Sequence, residues 1–272
     1  MIKSTNGINL FTKNYFVENP IANVLIVHGL HEHCLRYAHV AEAFNKIGVN
    51  AYTFDLRGHG QSEGQKVNIK SVDEYREDVE NVYRSIPKEL PFFIVGHSMG
   101  GLIVTDFLLF NERNDVKGVV LSGAALEVGE DLSPLLMKLA NLIGSLLPNL
   151  PTQKLDVKLI SRDPAEVEKY VNDPLNYTGG TKAGLGKALL NRIAELKPKQ
   201  ITFDYPVLIM HGGADKITNP KGSISLHEKA KAKDKTLKIW EGAHHEIFNE
   251  INKNEVINYM TDWLKIHIEP KK

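Results

Sequence analysis

Phe92-Phe93-Ile94-Val95-Gly96-His97-Ser98-Met99-Gly100-Gly101 runs from four consecutive apolar residues into a G-x-S-x-G turn, and Leu102-Ile103-Val104-Thr105-Asp106-Phe107-Leu108-Leu109 follows. A short apolar run closed by glycine reads as a buried strand, and the segment after the turn has the length and composition of a helix. A serine between the two, with glycines where side chains would collide, sits on a sharp bend that lifts its hydroxyl clear of the backbone. Ser98 is therefore the candidate nucleophile. The alternative is a glycine-rich turn with an incidental serine, and it loses ground as partners accumulate elsewhere in the chain.

Outward from this unit, short β-rich runs alternate with longer helical patterns. Strands are predicted at Val24–Val27, Asn50–Phe54, Val116–Ser122, Val207–His211 and Thr236–Trp240, and helices near Tyr37–Ile47, Ser71–Ser85, Pro220–Lys231 and Val256–Lys265. Ile8–Phe16 reads as part of an antiparallel opening hairpin. Such alternation implies a mainly parallel sheet covered on both faces. It breaks once. Between Ser122 and Tyr205 no convincing strand is found, only helical segments punctuated by Pro134, Pro148, Pro151, Pro164, Pro174 and Pro198. The reading is a core of residues 1–125 and 205–272 with a helical cap, 126–204, inserted into it. Within that cap, projection on a helix gathers Leu132, Leu135, Leu136, Leu139, Ala140, Leu142, Ile143, Leu146 and Leu147 on one face, with Lys138, Asn141 and Ser145 opposite. Burial against the core is the plain expectation for that face. Lining an apolar ligand tunnel or touching a lipid interface is the sharper one.

The 272 residues hold 33 Lys and Arg against 33 Asp and Glu, so there is no electrostatic case for nucleic acid or a strongly anionic membrane. A small uncharged partner fits better. The single cysteine, Cys34, rules out an internal disulfide, and the opening residues lack an apolar run resembling a signal peptide. A cytoplasmic location is expected. No apolar stretch reaches the ~18 residues of a spanning helix, so membrane contact would be peripheral.

A serine hydroxyl is a poor nucleophile near neutral pH until a base takes its proton and an acid orients that base. In doubly wound enzymes these groups follow in the order serine, acid, histidine on loops at the carboxyl ends of later strands. After Val207–His211 comes Gly212-Gly213-Ala214-Asp215, and after Leu237–Trp240 comes Glu241-Gly242-Ala243-His244-His245. Asp215 is the acid candidate, its competing role being a cap for the helix near Asn219. Spacing leaves His244 and His245 both open as the base.

The oxyanion formed on attack needs preorganised N–H donors. The residue after the nucleophile, Met99, supplies one, and Leu30 in Val27-His28-Gly29-Leu30 is the expected second. His28 and His97 flank the site and are expected to hold loops. The cluster His28, His31, His33 and Cys34 invites a metal, but it matches neither H-E-x-x-H nor H-x-x-E-H, so no metal is expected and His31 and His33 read as surface loop.

Taken together these segments resemble the monoacylglycerol lipase and lysophospholipase group of serine α/β-hydrolases. The similarity runs almost end to end: His28–His33 with Arg36-Tyr37; Asp55-Leu56-Arg57-Gly58-His59-Gly60-Gln61-Ser62; the serine turn; Ser161-Arg162-Asp163-Pro164 through Tyr170 to Asp173-Pro174-Leu175; Gly212–Asp215; and Lys235–His245. The cap segment discriminates best, because the serine turn and the Arg-Gly-His-Gly turn recur across many α/β-hydrolases. The resemblance implies an α/β-hydrolase fold with a mostly parallel eight-stranded sheet flanked by helices and an inserted cap. It implies a Ser98, Asp215, His245 triad, with Leu30 and Met99 as oxyanion donors. Glu32 and Arg36 would lie near the alcohol portion of the substrate, the plainer role for the two being a mutual ion pair. Phe248 stands where some family members carry a second histidine. The implied reaction is cofactor-free hydrolysis of an uncharged acyl ester such as a monoacylglycerol. Lysophospholipid hydrolysis, short-chain carboxylesterase activity, perhydrolysis and thioester cleavage use the same machinery, and a non-catalytic binding module is the remote alternative.

Overall fold

The computed structural model describes residues 1–127 and 134–268. In chain order the strands and helices begin with β1 (Ile2–Lys3), β2 (Asn9–Leu10), β3 (Thr12–Tyr15), β4 (Ala22–Val27), α1 (Ala38–Lys46), β5 (Val49–Phe54), α2 (Val72–Ser85), β6 (Phe92–His97), α3 (Met99–Phe110) and β7 (Val116–Ser122). They continue with α4 (Pro134–Leu146), β8 (Pro151–Lys154), α5 (Pro164–Asn172), β9 (Gly180–Lys182), α6 (Ala183–Leu196), β10 (Val207–Gly212), α7 (Pro220–Lys229), β11 (Lys235–Trp240) and α8 (Lys253–Ile268).

The main sheet has the order β11-β10-β7-β6-β4-β5-β3, parallel throughout except for β3, which runs antiparallel to β5. Its strands are continuous apolar runs because both faces are covered. Val24 and Ile26 join α1 and α8 in one core cluster, while Leu25 and Val27 join α2 and α3 in the other. This is the α/β-hydrolase architecture, with seven strands in the main sheet rather than eight. β1 and β2 pair with each other instead, and Phe11 N–H donates to Ser62 Oγ, so the chain joins the sheet only at Thr12.

Between β7 and β10 the structure departs from the all-helical expectation. β8 and β9 form a small antiparallel pair. β8 is Pro-Thr-Gln-Lys, exposed along its length, so it has no apolar alternation to betray it. The segment is strapped down by ion pairs and caps. Arg192 on α6 reaches Asp106 on α3 at 2.6 Å and Asp73 on α2 at 2.8 Å. Asp163 caps α5 by accepting from Ala165 N–H, and Arg162 pairs with Glu250 at 2.9 Å.

Four leucines of the predicted apolar face are exposed and not buried against the core as expected: Leu142 at 56%, Leu146 at 71%, and Leu139 and Leu147, while Ile143 is half-buried. Leu132 lies outside the described residues, as do the side chains of Leu135 and Leu136. Among the described residues no helix is long and apolar enough to cross a membrane.

Candidate active site

Four loops at the carboxyl ends of β4, β6, β10 and β11 converge, which is where open parallel sheets build their ligand crevices. Ser98 sits between β6 and α3 with φ 53° and ψ −118°, a conformation non-glycine residues rarely adopt. Backbone bonds hold it there: its N–H donates to Ser122 O, and its carbonyl accepts from Ala125 N–H. The glycines are required by close approach. A Cβ on Gly100 would lie 2.2 Å from Val27 O, and one on Gly96 would lie 2.7 Å from Gly100 O.

His245 Nε2 lies 2.8 Å from Ser98 Oγ, and its Nδ1 lies 2.7 Å from Asp215 Oδ2. With the carboxylate accepting from Nδ1–H, the neutral imidazole presents a lone pair on Nε2 to the serine hydroxyl. Burial opposes a charge on His245, but the Asp215 carboxylate outweighs it and raises the imidazole pKa. Burial likewise opposes charge on Asp215, yet His245, His211 and their hydrogen bonds hold its carboxyl well below the usual range. Asp215 does not cap α7. Asn219 does, by accepting from Lys221 N–H, while Asp215 Oδ1 accepts from Ile217 and Thr218 N–H and so locks its own turn. His244 is half-buried, its N–H donates to Glu250, and its ring has no part in this chain of contacts.

Met99 is the first residue of α3, so its N–H has no intrahelical acceptor, and both it and Leu30 line the same cavity as Ser98. His28 braces the Leu30 loop: its Nε2 accepts from Leu56 N–H, and its Nδ1 contacts Gly29 O at 2.7 Å. His97 reaches Ser122 Oγ at 3.2 Å and stacks obliquely beside His245; burial and then His245 push its pKa down to about 4. His31 and His33 are not surface loop. Both are buried, with Tyr170, Asp173 and Tyr177 against them: His33 Nε2 lies 2.9 Å from Asp173, and His31 O accepts from Tyr177 N–H and Tyr170 OH. Among the described residues no group of three or more His, Cys, Asp or Glu is arranged to hold a metal ion.

Glu32 and Arg36 do form the ion pair, at 2.5 Å, and Glu246 joins them by taking both Nη atoms of Arg36 at 2.8 and 2.6 Å. Glu32 also accepts from Gly29 N–H and Tyr37 OH, so it braces the donor loop. Burial works against its charge, but Arg36 brings its pKa down to about 2. Sequence reasoning missed Glu246, whose one signal is a charged residue directly after His245 before the apolar Ile247 and Phe248. It also missed His211, a histidine ending a core strand, and Thr218, whose hydroxyl lies 2.8 Å from Asp215 Oδ2. Phe248 is core.

The cavity at Ser98 measures about 170 Å³, and its lining is mixed: Leu155, Ile160, Leu189 and Ile217 are apolar, and Glu32, Glu246 and His97 are polar. A groove of about 600 Å³ continues past Leu189, Ile217 and Thr218 along α6. The arrangement can deprotonate a hydroxyl, bind an oxyanion and hold a substrate with both apolar and polar parts.

Known proteins bear the same organisation. A monoacylglycerol lipase of Mycolicibacterium smegmatis is 33% identical over 92% of this chain and 90% of its own length. The crystal structure of a Paleococcus ferrophilus monoacylglycerol lipase superimposes with a TM-score of 0.86 at 33% identity, covering 95% of this chain and 99% of that one. A soluble variant of the Saccharomyces cerevisiae monoglyceride lipase, solved with a substrate analogue, gives 0.87 at 26% identity over 99% and 96% of the two chains. The family model described as serine aminopeptidase, S33, matches residues 18–252, and the chain belongs to that family of serine α/β-hydrolases.

Proposed function

We propose that this protein hydrolyses carboxylic esters, with monoacylglycerols as the substrate class, and that Ser98, His245 and Asp215 are its catalytic triad. The observation that carries the reading is the 2.8 Å contact from His245 Nε2 to Ser98 Oγ in a cavity lined by both apolar and polar side chains. His245 removes the serine proton as Oγ attacks the ester carbonyl, and the N–H groups of Met99 and Leu30 bond the oxyanion. His245 then protonates the leaving alcohol. Water activated by the same imidazole cleaves the acyl-enzyme and releases the acid. Similarity to monoacylglycerol lipases over more than nine-tenths of the chain supports the choice of substrate class.

Residues 126–204 act in this reading as a cap over the catalytic loops, with 1–125 and 205–272 as the core. The exposed leucines of α4 then meet a lipid interface, from which an insoluble substrate is taken. Replacing Leu142 and Leu146 by serine is expected to lower binding to neutral phospholipid vesicles while leaving hydrolysis of a water-soluble short ester intact. Equal vesicle binding would refute the interfacial role.

The central test is a panel of monoacylglycerols, diacylglycerols, short synthetic esters and amino-acid p-nitroanilides assayed under one condition, the last probing the peptidase chemistry in the family's description. Monoacylglycerols should be the preferred substrates. Ser98→Ala should lower turnover by about ten-thousandfold or more and abolish labelling by a serine-directed phosphonate, with the fold intact. A flat profile favouring short synthetic esters would reduce the reading to carboxylesterase, and turnover of p-nitroanilides alone would replace it.

A further inference from the structure

The wall of the cavity at Ser98 carries two carboxylates that share one guanidinium. Glu32 and Glu246 both line the space, are 3% and 5% exposed, and share Arg36 between them. Their remaining partners are neutral donors: Gly29 N–H and Tyr37 OH on Glu32, and the Asn249 side-chain amide on Glu246. The imidazoles facing Glu32 are those of His97 and His28, and burial lowers the pKa of both. His245 has to be neutral to act as base. Glu32 and Glu246 therefore carry one negative charge more than Arg36 balances, in addition to that of Asp215 behind His245, in a region that water barely reaches. There it is screened far less than at the surface.

We propose that this surplus charge makes the alcohol subsite select by charge, with Glu246 as the specificity-determining residue: it admits an uncharged polyol and rejects a headgroup bearing phosphate. The proposal rests on the ester-hydrolase reading above and deepens it. The hydroxyls of a glycerol donate hydrogen bonds to carboxylate oxygens, whereas phosphate oxygens, which only accept when ionised, meet like charge. The penalty grows in the transition state, because the oxyanion at Ser98 adds a further negative charge nearby. Glu246 carries the selection more than Glu32 does. Glu32 is committed to the donor loop through Gly29 and Tyr37, while Glu246 directly follows the base in the chain and depends chiefly on Arg36.

The test compares two esters of one acyl chain, 1-decanoylglycerol and 1-decanoylglycerol 3-phosphate, both below their micelle concentrations. The wild-type protein should favour the neutral ester by about a hundredfold or more in kcat/KM. Glu246→Gln should narrow that preference by about tenfold, and Glu246→Asp should keep it. Equal turnover of both esters by the wild type would overturn the proposal whether or not the variant folds, as would an undiminished preference in folded Glu246→Gln. Turnover of neither ester would overturn the acylglycerol reading itself, and the charge selection with it.

Discussion

His211 Nε2 lies 3.1 Å from Asp215 Oδ2, the same oxygen that His245 Nδ1 approaches at 2.7 Å, so one carboxylate serves two imidazoles. His211 is fully buried at the end of β10, with Ser223 Oγ 2.7 Å from its Nδ1. A hydroxyl donating to Nδ1 leaves the proton of the neutral ring on Nε2, where it donates to the carboxylate. His211 is thus a positioning residue. It fixes the plane of Asp215 and competes with His245 for its charge.

Removing that competitor has a defined direction. In His211→Ala the Asp215 carboxylate loses a donor and stabilises protonated His245 more strongly, so the acid limb of the kcat/KM profile should move to higher pH. Looser orientation should cost about tenfold in kcat, about 1.4 kcal/mol, at unchanged KM. His211→Gln, which can still donate, should recover most of both. An acid limb that stays in place in a folded His211→Ala variant would remove the role.

The wild-type profile is itself predicted. His245 acts as base only when neutral, and its pKa is raised from 6.5 because the Asp215 carboxylate prevails over burial. Activity should therefore rise with pH through a midpoint above that value, with the slope of a single proton. His97, neutral above about 4, adds no second step near neutrality. A midpoint below 6.5 would contradict the pairing with Asp215.

Arg36 offers a stability test with a change of sign. Glu32, brought down to about 2 from 4.5, contributes stability that is present above the unfolded value and lost as pH falls through the folded one. Arg36→Met leaves Glu32 and Glu246 buried without their cation, a cost of about 3 to 5 kcal/mol at neutral pH. Without its cation the buried Glu32 carboxyl then has a pKa above that of the unfolded chain, so the variant should gain stability on mild acidification where the wild type loses it. Thermal melts from pH 7 down to 4 read the two slopes, and parallel curves would defeat the argument.

Gly100→Ala should be among the most damaging small changes in the chain. The added methyl would meet the carbonyls of Val27 and His28 at 2.2 and 2.5 Å, and neither can yield because both belong to the strand and loop that carry Leu30. A loss of about 3 kcal/mol or more is expected, read as a lowered denaturant midpoint. A neutral effect would mean that α3 is free to shift against β4.

The strands of the sheet were legible because a parallel sheet covered on both faces leaves uninterrupted apolar runs, and Val24–Val27 and Val207–His211 stand out from polar flanks on that ground alone. β8 was not legible, since an exposed pair of short polar strands is held by backbone bonds that no side-chain pattern announces. Leu139, Leu142 and Leu146 of α4 had the pattern of a buried face and are exposed, because periodicity reports that a face is apolar and not what covers it. His31 and His33 read as loop residues for the complementary reason. Burial came to them from Tyr170, Asp173 and Tyr177, about 140 residues away along the chain.

What the sequence determined by itself was whatever short-range sterics control: the strand, strained turn and helix around Ser98, the glycines that permit it, and a carboxylate and a histidine pair on the loops after later strands. Spacing alone could not choose between His244 and His245, nor foresee that Glu246 would close on Arg36 across 210 residues or that His211 would share Asp215. Those pairings depend on which loop ends the packed sheet brings within 3 Å of one another. Coulomb and hydrogen-bond energies become decisive only at such separations inside a dry interior, so the charge balance of the site belongs to the tertiary structure.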